Sequence, residues 1–203
     1  ANRPDLALRW YVQARRHATD EGDETTLSAL MHNMAWLRAD QARRLAVTGT
    51  TDRERVREVL LGVESTDHFD RMIGTASLLS FVPILRAQAL TLLDRHADAL
   101  ELFDAHLETA LSQGMARMQC GMLAEVAWCR VNVGDEVGAR RDALAARDRI
   151  ADCRQADESA ATHGRLVQVF QALGDGPAAE HHRARAVIDW QVHTDRQARL
   201  ITL

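Results

Sequence analysis

The side chains able to do chemistry are plentiful but scattered. Histidines stand at positions 17, 32, 68, 96, 106, 163, 181, 182 and 193, and cysteines at 120, 129 and 153. A helix that ligates zinc with two histidines spaces them one turn apart with a carboxylate beside them, and no pair here has that arrangement. His181 and His182 are adjacent, so on a helix their rings diverge. The stretch Asp67-His68-Phe69-Asp70 mixes acid and base in a loop-like context and reads as a helix start rather than a ligand site. No two cysteines have Cys-x-x-Cys spacing and their number is odd, so they read as small buried hydrophobes in a reducing compartment. The serines form no Gly-x-Ser-x-Gly elbow. These patterns imply no metal, no cofactor and no catalytic set, and the chain does not read as an enzyme.

Composition excludes further classes. All 25 basic side chains are Arg. Without Lys there is no Schiff-base amine and no P-loop lysine to reach a phosphate. A formal charge of −4 argues against direct nucleic-acid binding, which needs clustered positive charge. With 46% hydrophobic and 27% charged residues, 3 Pro and 11 Gly, the chain is an ordered globular one. No apolar run approaches the ~20 residues a membrane helix requires, and Ala1-Asn2-Arg3-Pro4-Asp5 leads straight into an amphipathic segment rather than a leader. The expectation is a cytoplasmic protein without membrane contact. A start on Ala rather than Met suggests a piece of a longer chain, with residues 1–203 as a single domain.

The elements that must position these residues are helices. Apolar residues recur at three and four positions along nearly the whole length, while strand signals are missing. Stop signals predict helices over about 4–21, 24–47, 51 to the Gly62–Thr66 region, 70–93 with a bend at Pro83, 96–113, 116–133, 136–153, 157–173 and 177–203. The turns between them are short, and there is no linker.

A repeat underlies this pattern. Ala99, Ala139 and Ala179 recur every 40 residues, each about five residues into a helix, with Ala87, Ala127 and Val167 twelve residues upstream. Two turns read alike, Val133-Gly134-Asp135 and Leu173-Gly174-Asp175. Ala146 and Ala186 follow seven residues after two of the key alanines, and Ala7, Tyr11 and Ala14 repeat the spacing in the first helix. Antiparallel helices approach closely where small side chains meet, while Tyr11, Phe103 and Phe170 fill the space between neighbouring pairs. Each pair leaves an apolar face that the next one buries.

These residues give the chain its resemblance to the tetratricopeptide (TPR) family: small residues, a Gly-Asp turn, then Ala-x-x-x-aromatic-x-x-Ala. The match is closest over 120–152 and 160–190, good over 80–114, a fragment over 1–22 and weakest over 23–75, where Val59 stands in place of the key Ala. The period exceeds the family's usual 34, as in repeats of bacterial regulatory proteins. The resemblance implies an all-α, TPR-like α-solenoid of antiparallel hairpins wound into a right-handed superhelix. It also implies a concave groove lined by the first helices of the pairs: Phe81, Ile84, Gln88, Ala124, Trp128, Asn132, Gln168 and Gln171, with His32, Trp36 and Asp40 added from the second helix. A partner protein or peptide would bind there, and Trp36 and Trp128 would be its anchors. The Lys positions of a carboxylate clamp are Ile84, Ala124 and Gly164 here, so a clamp for a peptide's C-terminus is not expected even though Asn132 and Arg165 are present.

The functional expectation is a protein-interaction or sensory-regulatory module of a bacterial cytosolic signalling protein. Its output domain, such as a diguanylate cyclase or a transcription regulator, would lie outside this chain. A small-molecule-sensing helical domain and a self-associating scaffold are the alternatives. In the last helix Ala179, Ala186, Val187 and Trp190 are expected to share a packed face. The polar stretch 191–199 is then expected either to project and pair with a second copy in a homodimer or to belong to a capping helix that folds back over the last pair.

Overall fold

The structure is a computed structural model that describes residues 4–49, 51–74 and 80–201. Among these residues it is all-helical, without strands. The α-helices are α1 (Pro4–Asp20), α2 (Glu24–Val47), α3 (Arg53–Met72), α4 (Phe81–Leu92), α5 (His96–Ala110), α6 (Gln119–Asn132), α7 (Glu136–Arg149), α8 (Ala156–Ala172) and α9 (Gly176–Ile201). Short 3-10 and π turns carry α5 into α6, and one 3-10 turn follows α7. No helix among the described residues is long and apolar enough to cross a membrane.

α4 packs on α5, α6 on α7 and α8 on α9, and α6 also packs against α8. The 40-residue register is written into the turns joining these pairs. Asp94, Gly134 and Gly174 all have positive φ, at 62°, 84° and 71°. In each turn the next amide closes on a carbonyl five residues back: Arg95 N on Leu90 O at 2.9 Å, Asp135 N on Arg130 O at 2.9 Å, and Asp175 N on Phe170 O at 2.8 Å. That bond, with a left-handed residue before it, is the helix-ending motif that satisfies otherwise orphaned carbonyls. Asp135 and Asp175 then cap the following helix by accepting from Gly138 N and Ala178 N. Ala99, Ala139 and Ala179 are buried where the helices meet, with Ala87 and Ala127 opposite, and Phe103 and Phe170 are fully packed.

The first third differs from the sequence expectation in three places. The break at Gly62–Thr66 does not occur, because α3 runs through to Met72. Val59, Val63, Thr66 and Asp70 form one buried stripe along it, and Thr66 Oγ1 donates back to Gly62 O at 2.8 Å. Burial outweighs the ~1 kcal/mol that a helical Gly costs. Asp67-His68-Phe69-Asp70 therefore lies in the last turns of α3 and not at a helix start. The following helix begins at Phe81 rather than near 70, which places Pro83 in its first turn, where no intrahelical N–H is needed. The predicted stretch over 75–79 lies outside the described residues, as does Leu203. In α1, Ala7 and Ala14 are exposed and Tyr11 is half-buried, so the repeat spacing is not used for packing there; Ala18 is the buried alanine of this helix.

α9 also departs in part. Ala179 is buried and Ala186 and Trp190 are half-buried, but Val187 is 66% exposed and turns outward with Ile188. The polar stretch does not lift off at Gln191. His193 is half-buried, with Nδ1 3.7 Å from Asp157 on α8.

Candidate functional site

The groove residues were expected on one face of α4, α6 and α8, and α2 packs against α4 and α8. At its first half, His32 and Trp36 meet Phe81 of α4, with ring centroids 5.7 and 5.9 Å apart. Trp36 bridges two apolar clusters, one around Ile84 and Met122 and one around Val59 and Leu85. Further along, Arg43 pairs with Glu158 of α8 and donates to Asp40 at 3.2 Å, while Arg44 reaches Asp157 at 2.8 Å and also pairs with Asp40. At its end, Ala46 O accepts from Gln168 Nε2 at 3.2 Å.

Glycines allow this approach. A Cβ on Gly121 of α6 would run into the Glu158 carboxylate and sit 2.9 Å from Arg43 Nη1, and one on Gly164 would lie 3.1 Å from Val47 Cβ. Arg43, Asp40 and Glu158 are all buried. Burial opposes the Arg43 charge, but the carboxylates of Glu158 and Asp40 overcome it and hold the guanidinium more firmly protonated than usual. Burial pushes the Glu158 carboxyl above the ordinary carboxylate range, and Arg43 works against that rise.

The expected groove thus divides in two. Ile84 and Ala124 are 0% exposed and Gln88 is 5% exposed, so these three are interior residues. Phe81 and Gln168 are half-buried and engaged by α2, as Trp36 is from the other side. His32 and Asp40 of α2 are buried. Trp128 is half-buried, while Asn132 and Gln171 are exposed. Arg165 lies over the Trp128 ring at 5.4 Å, and His96 meets its edge at 6.3 Å. Beneath this stack Arg165 Nε donates to Glu125 Oε1 at 3.1 Å. Arg165 Nη2 and Glu125 Oε2 have no hydrogen-bond partner among the described residues. Asn132 Nδ2 donates to Trp128 O at 2.8 Å, so the exposed amide caps its own last turn.

Sequence reading missed three clusters. Ser28 and His32 of α2 both bond Asp70 of α3, each at 2.6 Å. Ser159 of α8 donates to Asp189 of α9 at 2.5 Å, with His163 Nε2 3.8 Å from the same carboxylate. In both clusters the carboxylate, not the imidazole, receives the serine hydroxyl, so these sets lock helices together instead of activating a nucleophile. The shared spacing Ser-x-x-x-His at 28–32 and 159–163 was the available signal. His163 Nδ1 also meets His182 Nδ1 at 2.7 Å, and Phe170 stacks on His182. Burial lowers both imidazoles to about 4. The third is Cys120 and Cys153, whose thiols act on one another: hydrogen bonding with Cys120 draws Cys153 down to about 7, and the same interaction pushes Cys120 up.

No group of three or more His, Cys, Asp or Glu among the described residues could hold a metal ion. A shallow hollow of about 340 Å³ is lined by Glu136, Val137, Arg140, Arg141 and Leu173, and it gathers no convergent acid–base set. No protein-family model, no curated protein and no solved structure matches the chain.

Proposed function

We propose that the chain is a TPR-like interaction module of a regulatory protein, a right-handed α-solenoid of hairpins whose inner face receives helical segments. The observation that carries this reading is the seating of α2, which packs against α4 and α8 and is held there by apolar, ionic and backbone contacts. A face that accommodates one helix of its own chain has the shape and polarity for a second segment alongside it. The half left open by α2 holds Trp128, Asn132 and Gln171, with Arg165 spread over the indole. Flat aromatic and guanidinium surfaces at the rim of a packed face are where interface energy concentrates. In this reading the partner is a protein segment that stacks on Trp128 and bonds the amides of Asn132 and Gln171. The output domain belongs to the longer protein, and the outward Val187, Ile188 and Val192 of α9 offer the apolar edge for pairing with a second copy.

A photoreactive residue at Asn132 or Gln171 should crosslink one discrete partner in cells. The same residue at Val137 of α7, which is 85% exposed, should not. Trp128→Ala should weaken capture by about 2 kcal/mol. Equal crosslinking from Val137, or capture that ignores the Trp128 change, would remove the groove from the interaction.

A further inference from the structure

We infer that Glu125, Arg165 and His96, gathered around Trp128, form a recognition site for a neutral primary amide, the group that ends a glutamine or asparagine side chain. Such a site rests on the reading of the Trp128 end as the partner-binding end, and it names what the partner must present. Three helices bring the residues together. Glu125 and Trp128 lie one turn apart on α6, Arg165 comes from α8, and His96 opens α5. Arg165 lies over the indole at 5.4 Å and His96 meets its edge at 6.3 Å, while Arg165 Nε donates to Glu125 Oε1 at 3.1 Å. Glu125 is 1% exposed, Arg165 3% and His96 9%, so all three polar side chains are withdrawn from solvent.

Each of them keeps one buried atom without a hydrogen-bond partner among the described residues: Glu125 Oε2, Arg165 Nη2 and His96 Nδ1. Buried polar atoms are nearly always satisfied, so three orphans around one indole point to a common ligand. The Nε side of a guanidinium carries two parallel donors, and a carboxylate facing it squarely takes both. Glu125 takes one. Arg165 Nη1 turns to Gln168 Oε1 at 2.5 Å, and Gln168 is itself tied to Ala46 O of α2. The guanidinium is thus held from a second side, and one donor and one acceptor flank the Nε–Oε1 bond.

The orphans define the ligand. Arg165 Nη2 can only donate, and the Glu125 carboxylate accepts. His96 Nε2 lies 3.9 Å from Asp94 Oδ1, and that carboxylate keeps the ring proton on Nε2 and leaves Nδ1 as an acceptor. Burial lowers the imidazole, so the ring is neutral at neutral pH. One donor and two acceptors are the complement of a primary amide, whose oxygen accepts from Arg165 and whose two N–H groups donate to Glu125 and His96. A carboxylate could not donate and would face Glu125. An ammonium could not accept and would face Arg165. A neutral group leaves the buried ion pair balanced. A backbone amide fits poorly, because in the trans peptide N–H and C=O point in opposite directions, whereas a primary amide has an N–H on the same side as its oxygen. The half-buried Trp128 reaches the rim beside Asn132 and Gln171, so the amide enters past the indole and the indole reports its arrival.

Two titrations of the full chain test this, both read by NMR from the indole N–H signals of its 4 Trp, with Trp128→Phe identifying the one that matters. The first uses free small molecules: propionamide, propionate and N-methylpropionamide. Propionamide should shift the Trp128 signal saturably, and the other two should bind about tenfold more weakly or worse, since each leaves buried groups unpaired. The second uses a five-residue peptide with Gln between alanines, acetylated and ending in a methylamide, against its Glu counterpart. If the Gln peptide binds about tenfold tighter than propionamide, the amide belongs to a partner segment that also packs on Trp128. If it binds no tighter, the site takes a free small amide. Glu125→Gln should shift the preference from propionamide toward propionate, and the ligand series on the unsubstituted chain remains decisive where that variant folds poorly. No saturable shift from propionamide or the Gln peptide, or equal shifts from the acids, would overturn the site. Saturation by propionamide without a discrete crosslink at Asn132 or Gln171 would remove the partner and keep the amide site, while a crosslink without an amide response would do the reverse.

Discussion

Between α6 and α7 the contact is made of alanines: Ala127 of one helix, Ala143 and Ala146 of the other, all fully buried, with Leu166, Val169 and Phe170 of α8 closing the cluster. Between α2 and α8 it is made of charges: Arg43 with Glu158, Arg44 with Asp157, and Asp40 beside both arginines. The first contact is repeated and local, since the next pair uses the same register and the same turn. The second is unique and joins residues 115 positions apart. Apolar packing is tolerant and roughly additive, whereas a buried ion pair is worth little until one partner is removed and the other is left stranded. The stacked pairs should therefore yield gradually to substitution and the seat of α2 abruptly.

The largest effect should come from that seat. Arg43→Ala leaves Glu158 and Asp40 buried without their common partner and should cost about 3–5 kcal/mol. Replacing Arg43 and Glu158 together with Met and Leu should recover most of that loss, because the isolated charge disappears. Urea denaturation of the single and paired variants measures both. If Arg43→Ala costs no more than an exposed substitution, the charges are incidental and α2 is held by its apolar and backbone contacts.

Acid should act next, on the other side of α8. His163 and His182 are neutral in the fold, lowered from 6.5 to about 4 by burial. The unfolded chain takes up their protons first, so stability is whole above the ordinary value of 6.5 and falls as pH drops toward 4. The fall should reach roughly 2 kcal/mol per proton taken up by about pH 5. The shared Nδ1 contact lets one ring stay neutral after the other protonates. Denaturation at about pH 7.5 and about pH 5 reads the difference, and a His163→Gln/His182→Phe variant should flatten it. If the His163→Gln/His182→Phe variant falls toward acid as steeply as the parent, these rings are not the cause.

Within the repeated pairs, Ala139→Leu should overpack the crossing of α6 and α7 and cost about 1–3 kcal/mol. The same change at the exposed Ala7, which has the repeat's spacing but not its burial, should be within about 0.5 kcal/mol of neutral. Equal costs at the two sites would mean that the register governs packing in α1 as well. Thermal melts of both variants decide it.

What was legible in the residues follows this division. The helices and the 40-residue register could be read because their signals are local: apolar spacing, recurring alanines, and the Gly-Asp turns at 134–135 and 174–175. The extent of α3 could not, since Gly62 is a stop signal that only tertiary burial of Val63 and Thr66 overrules. Of the residues assigned to a groove by register, Trp128 is half-buried and Asn132 and Gln171 are exposed, while Ile84, Gln88 and Ala124 are interior. The seating of α2 against α4 and α8 was hidden, because nothing near Arg43 in the chain announces Glu158. The influence of Cys120 and Cys153 on one another was hidden for the same reason. Spacing rules see pairs within a few residues, while residues far apart in the chain act on each other only once the helices have packed.

The smallest effect sharpens the comparison most, because it asks whether the turn at 93–95 is the same object as its two successors. Asp94 is the one non-glycine residue with positive φ among the described residues, at the register position where the later turns place Gly134 and Gly174. A side chain in this left-handed region costs about 1–2 kcal/mol, somewhat less for Asp, whose carboxylate bonds locally. Gly134→Ala should accordingly lose about 1 kcal/mol, the left-handed cost less the entropy Ala removes from the unfolded chain. Asp94→Gly runs the exchange the other way. It relieves the backbone but frees the unfolded chain, so the net gain is at most about 0.5 kcal/mol, or about 1–2 °C in melting temperature. Asp94 also pairs with Arg53 at the start of α3, and both side chains are largely exposed, so that contact is worth about 0–1 kcal/mol and could mask the gain. Measuring Asp94→Gly in an Arg53→Ala background, at a pH above about 7 where the His96 imidazole 3.9 Å from the same carboxylate is neutral because burial lowers it, leaves the backbone contribution. A rise there, set against a fall for Gly134→Ala, makes the three turns one repeated device. A clear loss from Asp94→Gly in that background would mean that the first turn is held by its own side chain, and that the repeat begins only at α6.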